Sequence, residues 1–311
     1  MKFLKRAVEK WAKPLIEDHF NKKIKPRIAA RKILENPFLV GKRLMPLEKN
    51  KGFYVVPKTP APCEMGPDGL AIPPQEYWEG YGKTPEQYLG FGRDHVKTMQ
   101  EILLADGASL ASMKHVLDFG CAAGRMLRFI PDAGEGSERW GVDLKAETIN
   151  WCQQYLSPKM LFAPCTTLPH LPFEDNSFDL VYAGSVFTHI SDLPDTWFLE
   201  LRRIVKKGGY LYLTVFDKQA VTALLTEHKD REDLDMRWFV EMLQRFEADT
   251  GALSSDYATF SFEGGSWGGF PVPQVGYDTE SLSARWGAMA RVASVNPGAY
   301  NYQTAMLLQK R

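Results

Sequence analysis

Asp118, Gly120, Gly124 and Asp143 are the residues whose types and spacing first suggest chemistry. In VLDFGCAAGR (116–125) a short apolar run ends in an acid and a glycine-bearing turn; in GVDL (141–144) a second run also ends in an acid. Glycine has no Cβ, so Gly120 and Gly124 let the backbone approach a ligand closely. A helical run predicted over Met126–Ile130 would aim its N-terminal N–H groups at the same place. Two cofactor classes use this device, and spacing separates them. A dinucleotide loop, G-x-G-x-x-G counted from Gly120, needs glycines where Ala122 and Arg125 stand. A Walker loop needs a closing Lys-Ser/Thr, which is absent. Further along, His189 follows the apolar run Phe178–Ala183, at what should be a pocket rim. Its neutral imidazole has the chemistry to take a proton from a hydroxyl nucleophile, and a purely structural role competes with that reading.

With Asp118 two residues ahead of Gly120, the stretch resembles the first motif of class I S-adenosylmethionine-dependent methyltransferases: an apolar strand, an acid, then G-x-G-x-G. Ala122 stands in place of the middle glycine, which a negative φ would tolerate. GVDL, LPFEDNSFDLVYAGSVFTHI, LRRIVKKGGYLYLTV and SVNPGAYNYQTAMLLQKR resemble the family's later strands and closing hairpin, in the family's order. IPPQEYWEGYGKTPEQYLGFGRDH resembles a segment of bacterial members that accompany glycan-modifying enzymes. Together the resemblance covers residues 72–217 and 277–311.

It implies S-adenosylmethionine as cofactor and assigns roles. Asp118 is expected at the methionine end, toward the ammonium, with Gly120, Cys121, Ala122 and Gly124 around methionine and ribose. Asp143 is expected on the ribose, whose two hydroxyls one carboxylate can accept together. Leu144 would cover an adenine face, Thr167 and Leu168 would reach the adenine edge, and Gly184 and Ser185 would line the pocket near the sulfonium. Turn or helix caps are the plainer readings for the two acids, and a small buried side chain for Cys121.

The elements that must hold these residues are legible in the apolar spacing. Helices are predicted over 84–104, 146–156 and 197–205, with strands at 115–119, 140–143, 159–163, 178–183 and 210–215. Strands alternating with helices at this pitch mean a parallel sheet with helices on both faces. Residues 291–295 and 302–308 are two further strands; the joining segment, with Pro297 and Gly298, is too short for a parallel crossover, so they form an antiparallel hairpin. The expected architecture is a seven-stranded, mainly parallel Rossmann-like α/β sheet with an antiparallel last strand, a helical N-terminal extension and an inserted lid. The chain divides into a basic helical arm and irregular connector (1–83), a cofactor-binding core (84–217), a lid or substrate region (218–276) and a closing helix and hairpin (277–311). In the lid two helical stretches occupy 218–248, and Trp267, between two Gly-Gly pairs, is expected to contact substrate.

Hydrophobic residues make up 44% of the chain and charged ones 24%, the balance of a globular protein. The net charge is zero, yet residues 1–51 hold 15 Lys/Arg against 5 Asp/Glu. That block suits an anionic surface, so peripheral contact with the inner membrane face through residues 1–35 is expected, or else an arm packed on its own domain. A nucleic-acid partner is disfavoured, because the arm offers only Phe3, Trp11, Phe20 and Phe38 for base stacking. Cys63, Cys121, Cys152 and Cys165 form no CxxC pair, which supports neither a zinc site nor a disulfide framework; with no secretory signal, a cytoplasmic location is expected. The expected activity is O-methylation of a glycan, a lipid-linked glycan or another small acceptor. The alternatives are a catalytically silent S-adenosylmethionine-binding scaffold and an RNA methyltransferase.

Overall fold

A computed structural model describes residues 60–226, 237–250, 259–267 and 270–311. The basic arm expected over 1–35 lies outside them. The described chain opens with a small antiparallel pair, β1 (Glu64–Met65) and β2 (Ala71–Ile72), inside the stretch expected to be irregular. Helix α1 (Pro85–Ala105) follows. Thr84 caps it, accepting from the Gln87 N–H, and Pro85 starts its first turn. Tyr88, Leu89, Gly92, Val96, Met99 and Leu103 form its buried stripe.

Seven strands make the main sheet: β3 (His115–Phe119), β4 (Glu138–Asp143), β5 (Leu161–Pro164), β6 (Phe178–Ala183), β7 (Val205–Val215), β10 (Ala290–Tyr300) and β11 (Gln303–Lys310). Between β7 and β10 lie β8 (Thr259–Trp267) and β9 (Phe270–Tyr277), a separate antiparallel pair. The main sheet runs β10-β11-β7-β6-β3-β4-β5. From β7 to β5 all neighbours are parallel, while β11 is antiparallel to both β7 and β10. Apolar side chains on both faces follow from this: Val116 and Leu180 pack under α1, whereas Leu117, Val181 and Leu211 pack on the opposite side. Because β3, β4, β5, β6 and β7 point the same way, their C-terminal ends share one edge.

Helices α2 (Ala146–Tyr155) and α3 (Pro194–Ile204) match the predicted crossovers. The run after the glycine turn does not. Residues 122–126 are turn, and only Leu127–Phe129 coil, as a 3-10 helix. Three positive φ angles precede this short run and Pro131 follows it, so too few residues remain to nucleate an α-helix. Beyond β7, α4 (Lys218–Thr226) and α5 (Arg237–Thr250) bury Leu224, Phe239, Val240 and Leu243 in a small core of their own around Phe216. The Gly-rich segment that follows holds the β8–β9 hairpin. Its root joins the sheet where the Tyr277 N–H donates to the Phe216 carbonyl at 2.7 Å. Helix α6 (Thr279–Gly287) is capped by Asp278, which accepts from the Ser281 N–H at 2.7 Å. Among the described residues no helix is long and apolar enough to cross a membrane.

Candidate functional site

The ends of β3 and β4 build a tight cradle. The N–H groups of Gly120 and Cys121 both donate to the Val142 carbonyl, at 2.8 and 3.0 Å, which ties the turn to the neighbouring strand. Gly120 sits at φ +81°, and a Cβ there would lie 2.3 Å from Val186 Cγ2. Gly124 sits at φ +74°. Both positions demand glycine. Ala122, expected to have a negative φ, is left-handed at +44°. The Asp143 carboxylate holds it there, accepting from the Ala122 N–H at 2.9 Å while its other oxygen accepts from the Lys145 N–H at 2.8 Å. Asp143 thus staples the glycine turn to the end of β4, and each oxygen keeps a second lone pair for a ligand. Cys121 is buried, and burial pushes its thiol well above the usual range, so it packs against Gly141 as an inert side chain. Asp118 is only 4% exposed, and burial raises its carboxyl to about 7, against the pull of Tyr182 and Arg125.

The exit of β6 forms the opposite wall. Gly184 lies against Tyr300, whose ring a Cβ would meet at 2.8 Å. Ser185 is left-handed at φ +59° and is fixed by a closed circuit of hydrogen bonds. Its N–H donates to Thr214 Oγ1, Thr214 donates to Gln303 Oε1, and Gln303 Nε2 donates back to Ser185 Oγ, at 2.7, 2.8 and 2.8 Å. A 3-10 turn, Phe187–His189, then carries His189 beneath the lid hairpin. His189 Nδ1 lies 3.0 Å from the Pro273 carbonyl. A carbonyl only accepts, so Nδ1 carries the proton and Nε2 the basic lone pair. Burial lowers this imidazole to about 4. Leu144 packs at the edge of the core beneath β4, while Thr167 and the exposed Leu168 follow β5 in a turn closed by Thr166 Oγ1. Every expected residue of the core therefore belongs to strand exits on one edge of the sheet. Trp267 pairs with Phe270 at the turn end of the β8–β9 hairpin.

Residues 117–213 match a family described as the methyltransferase domain. Over these residues the chain carries a methyltransferase domain. Similar proteins include an uncharacterized methyltransferase of Schizosaccharomyces pombe, 31% identical over 114 residues, which are 31% of this chain and 37% of that one. Another is a 2-phytyl-1,4-naphtoquinone methyltransferase of Trichormus variabilis, 27% identical over 151 residues, 47% of this chain and 62% of that one. The match thus spans less than two thirds of the length of either relative. Among solved structures, a SAM-dependent methyltransferase from Aquifex aeolicus is 17% identical, with a TM-score of 0.47 over 76% of this chain and 98% of that one.

The cradle of this methyltransferase domain suits its cofactor class on chemical grounds. Gly120, Gly124 and Gly184 let the turn and the exit of β6 close in on Val186, Leu156 and Tyr300, which draws narrow backbone walls around the strand ends where a sulfonium nucleoside with an amino-acid tail would lie. Such a molecule needs an acid for its ammonium and one for its ribose, and Asp118 and Asp143 stand at neighbouring strand ends.

Sequence reasoning missed the segment that crosses this edge from the N-terminal side. In WEGYG, Glu79, Gly80 and Gly82 all have positive φ. Three side chains pin the segment to residues just past the two motifs. The Tyr77 hydroxyl donates to Glu147 Oε1 at 2.9 Å, Lys145 Nζ donates to Glu79 Oε1 at 2.6 Å, and the Tyr81 ring covers the Arg125 guanidinium at 3.7 Å. The aromatic and glycine content of 77–82 was the available signal.

Proposed function

We propose that the chain transfers a methyl group from S-adenosylmethionine to an oxygen of a small acceptor, a glycan or lipid-linked glycan being the preferred class. The observation that carries this reading is the glycine cradle with Asp118 and Asp143 at its rim, within a methyltransferase domain. In it Asp118 faces the cofactor's ammonium, and Gly120, Cys121, Ala122 and Gly124 wrap its methionine and ribose. Asp143 takes the ribose hydroxyls. Leu144, Thr167 and Leu168 border the adenine, with Gly184 and Ser185 beside the reacting centre. Once bound, the cofactor supplies a methyl already activated on sulfur. The protein's work is then to hold the acceptor oxygen within about 3–3.5 Å and in line, and to keep water out. Trp267 and the lid hairpin are assigned to acceptor contact. Support for a glycan comes from the resemblance carried by residues 72–95 and from the basic arm. The similar protein named for a naphthoquinone marks small organic acceptors as the wider class.

His189 Nε2, the nitrogen left with a lone pair, is assigned to collecting the acceptor's proton as the new C–O bond forms. With its imidazole lowered to about 4, it stays neutral through the physiological range, so turnover at saturating S-adenosylmethionine should be flat from about pH 8 to 5 and fall as protonation removes the lone pair near 4. An acid limb near 6.5, or unchanged turnover in His189→Ala, would remove the base assignment. The whole reading is tested by calorimetry with S-adenosylhomocysteine, then an assay for S-adenosylhomocysteine release over candidate glycans. Binding with release supports it. Binding without release on any acceptor points to a silent scaffold, and no binding ends the cofactor assignment.

A further inference from the structure

Two buried arginines leave the same turn and meet opposite fates. Arg128 is fully neutralised: its Nε and Nη2 donate to the two oxygens of Asp68 at 2.8 and 2.7 Å, and the Leu70 and Ala71 carbonyls take further protons. Arg125 is equally hidden, 6% exposed, yet it bonds only neutral acceptors. Its Nη1 donates to His95 Nδ1 at 3.1 Å, its Nη2 to the Tyr300 hydroxyl at 2.6 Å, and the Tyr81 ring covers it. Among the described residues no carboxylate pairs with it. The cage itself is neutral. His95 accepts at Nδ1, so Nε2 carries its proton and donates to Asn301 Oδ1 at 3.3 Å. A buried charge without a counter-charge is costly and calls for a partner.

The cage borders the cofactor cradle on two sides. Arg125 directly follows Gly124, and the Tyr300 hydroxyl that it holds lies 3.0 Å from where a Gly184 side chain would begin. Asp118, the buried acid at the other end of the turn, is near enough for its charge to be felt at Arg125 but does not pair with it. Two opposite buried charges flank one glycine turn, neither in an ion pair among the described residues, and they match the two ends of an α-amino acid.

We propose that Arg125 receives the α-carboxylate of the cofactor's methionine end, complementing Asp118 at the ammonium, with Tyr300, His95 and Tyr81 as the residues that position the guanidinium. This rests on the S-adenosylmethionine reading above and adds a specificity-determining residue to it.

The test compares S-adenosylmethionine with its decarboxylated analogue, which keeps the amine and the sulfonium, by calorimetry without acceptor. The full-length protein should prefer the carboxylated ligand by roughly 10- to 100-fold, the range of a charge-assisted hydrogen bond. Arg125→Met should abolish that preference while binding the decarboxylated ligand within about threefold of the parent, and Arg125→Lys should keep part of the preference. Equal binding of both ligands by the parent protein overturns the proposal, whether or not the variants fold. So does an Arg125→Met protein that weakens for both ligands alike, which marks a structural role, or one that keeps the preference, which leaves the guanidinium for an acceptor anion. Failure of the parent to bind either ligand is a different result, and takes the cofactor reading with it.

Discussion

Val186 Cγ2 stands 2.3 Å from the point where a Gly120 Cβ would be built, and Gly120 is already left-handed. Gly120→Ala therefore meets two penalties, backbone strain and overpacking, and should lose roughly 2–4 kcal/mol in urea melts together with its affinity for S-adenosylhomocysteine. Adding Val186→Ala should return the packing share and leave the strain. A single variant as stable as the parent would show that this turn is not the constraint described. Asp118 carries the second residue-level expectation. Its carboxyl, raised to about 7, is partly protonated at neutral pH, whereas a bound ammonium needs it ionised. Binding must then release a proton, so affinity should fall by up to about tenfold per unit as pH drops below 7, and the calorimetric heat should follow the buffer's ionisation enthalpy. Asp118→Asn should flatten both dependences; a parent protein with neither would contradict the assignment. Ala122 shows the limit of reading residues one at a time. Its place in the motif was legible, but its left-handed φ is set by a carboxylate 21 positions away.

Elements, more than single residues, decide how the second wall is built. Ser185 follows β6, Thr214 lies on β7 and Gln303 on β11, and their closed hydrogen-bond circuit crosses strands that are remote in sequence. Gln303→Ala leaves the buried Thr214 hydroxyl without its acceptor and costs the Ser185 hydroxyl a donor, a loss of about 1–3 kcal/mol. Because the loop assigned to the cofactor pocket slackens too, the KM for S-adenosylmethionine should rise in that variant. Unchanged stability and KM would mean the circuit is incidental. The lid hairpin is likewise anchored by scattered contacts: the Tyr277 hydroxyl donates to the Ile190 carbonyl at 2.7 Å and Pro273 holds His189. None of these pairs leaves a local signature. The helix predicted after Gly124 failed for a local reason of its own, since left-handed residues and Pro131 bracket too short a run.

Across the whole molecule, charge is divided as sharply as structure. The excess of basic residues over 1–51 is balanced by acids in the rest of the chain, so the arm should find anionic surfaces that the body avoids. Full-length protein should sediment with anionic liposomes and lose that binding as salt rises, while protein lacking residues 1–35 should stay in solution. Equal sedimentation of the two would remove the membrane assignment. Activity on a soluble acceptor should be similar for both, because the cradle belongs to the strand exits of the core.

The alternation of short apolar runs with helical stripes determined the α/β sheet, and the clipped joint around Pro297 and Gly298 determined the antiparallel hairpin, because period and connection length are local properties. The acid-and-glycine spacing at 118–124 singled out the cradle for the same reason: its geometry is written in consecutive backbone angles. Tertiary structure alone decided that Tyr300, from the last hairpin, would meet Arg125 and Gly184, and that Tyr81 would cover the guanidinium. Among the described residues it also left Arg125 without the acid that Arg128 has in Asp68. Such pairings depend on which side chains the folded sheet brings within a few ångströms, and sequence separation carries no information about that.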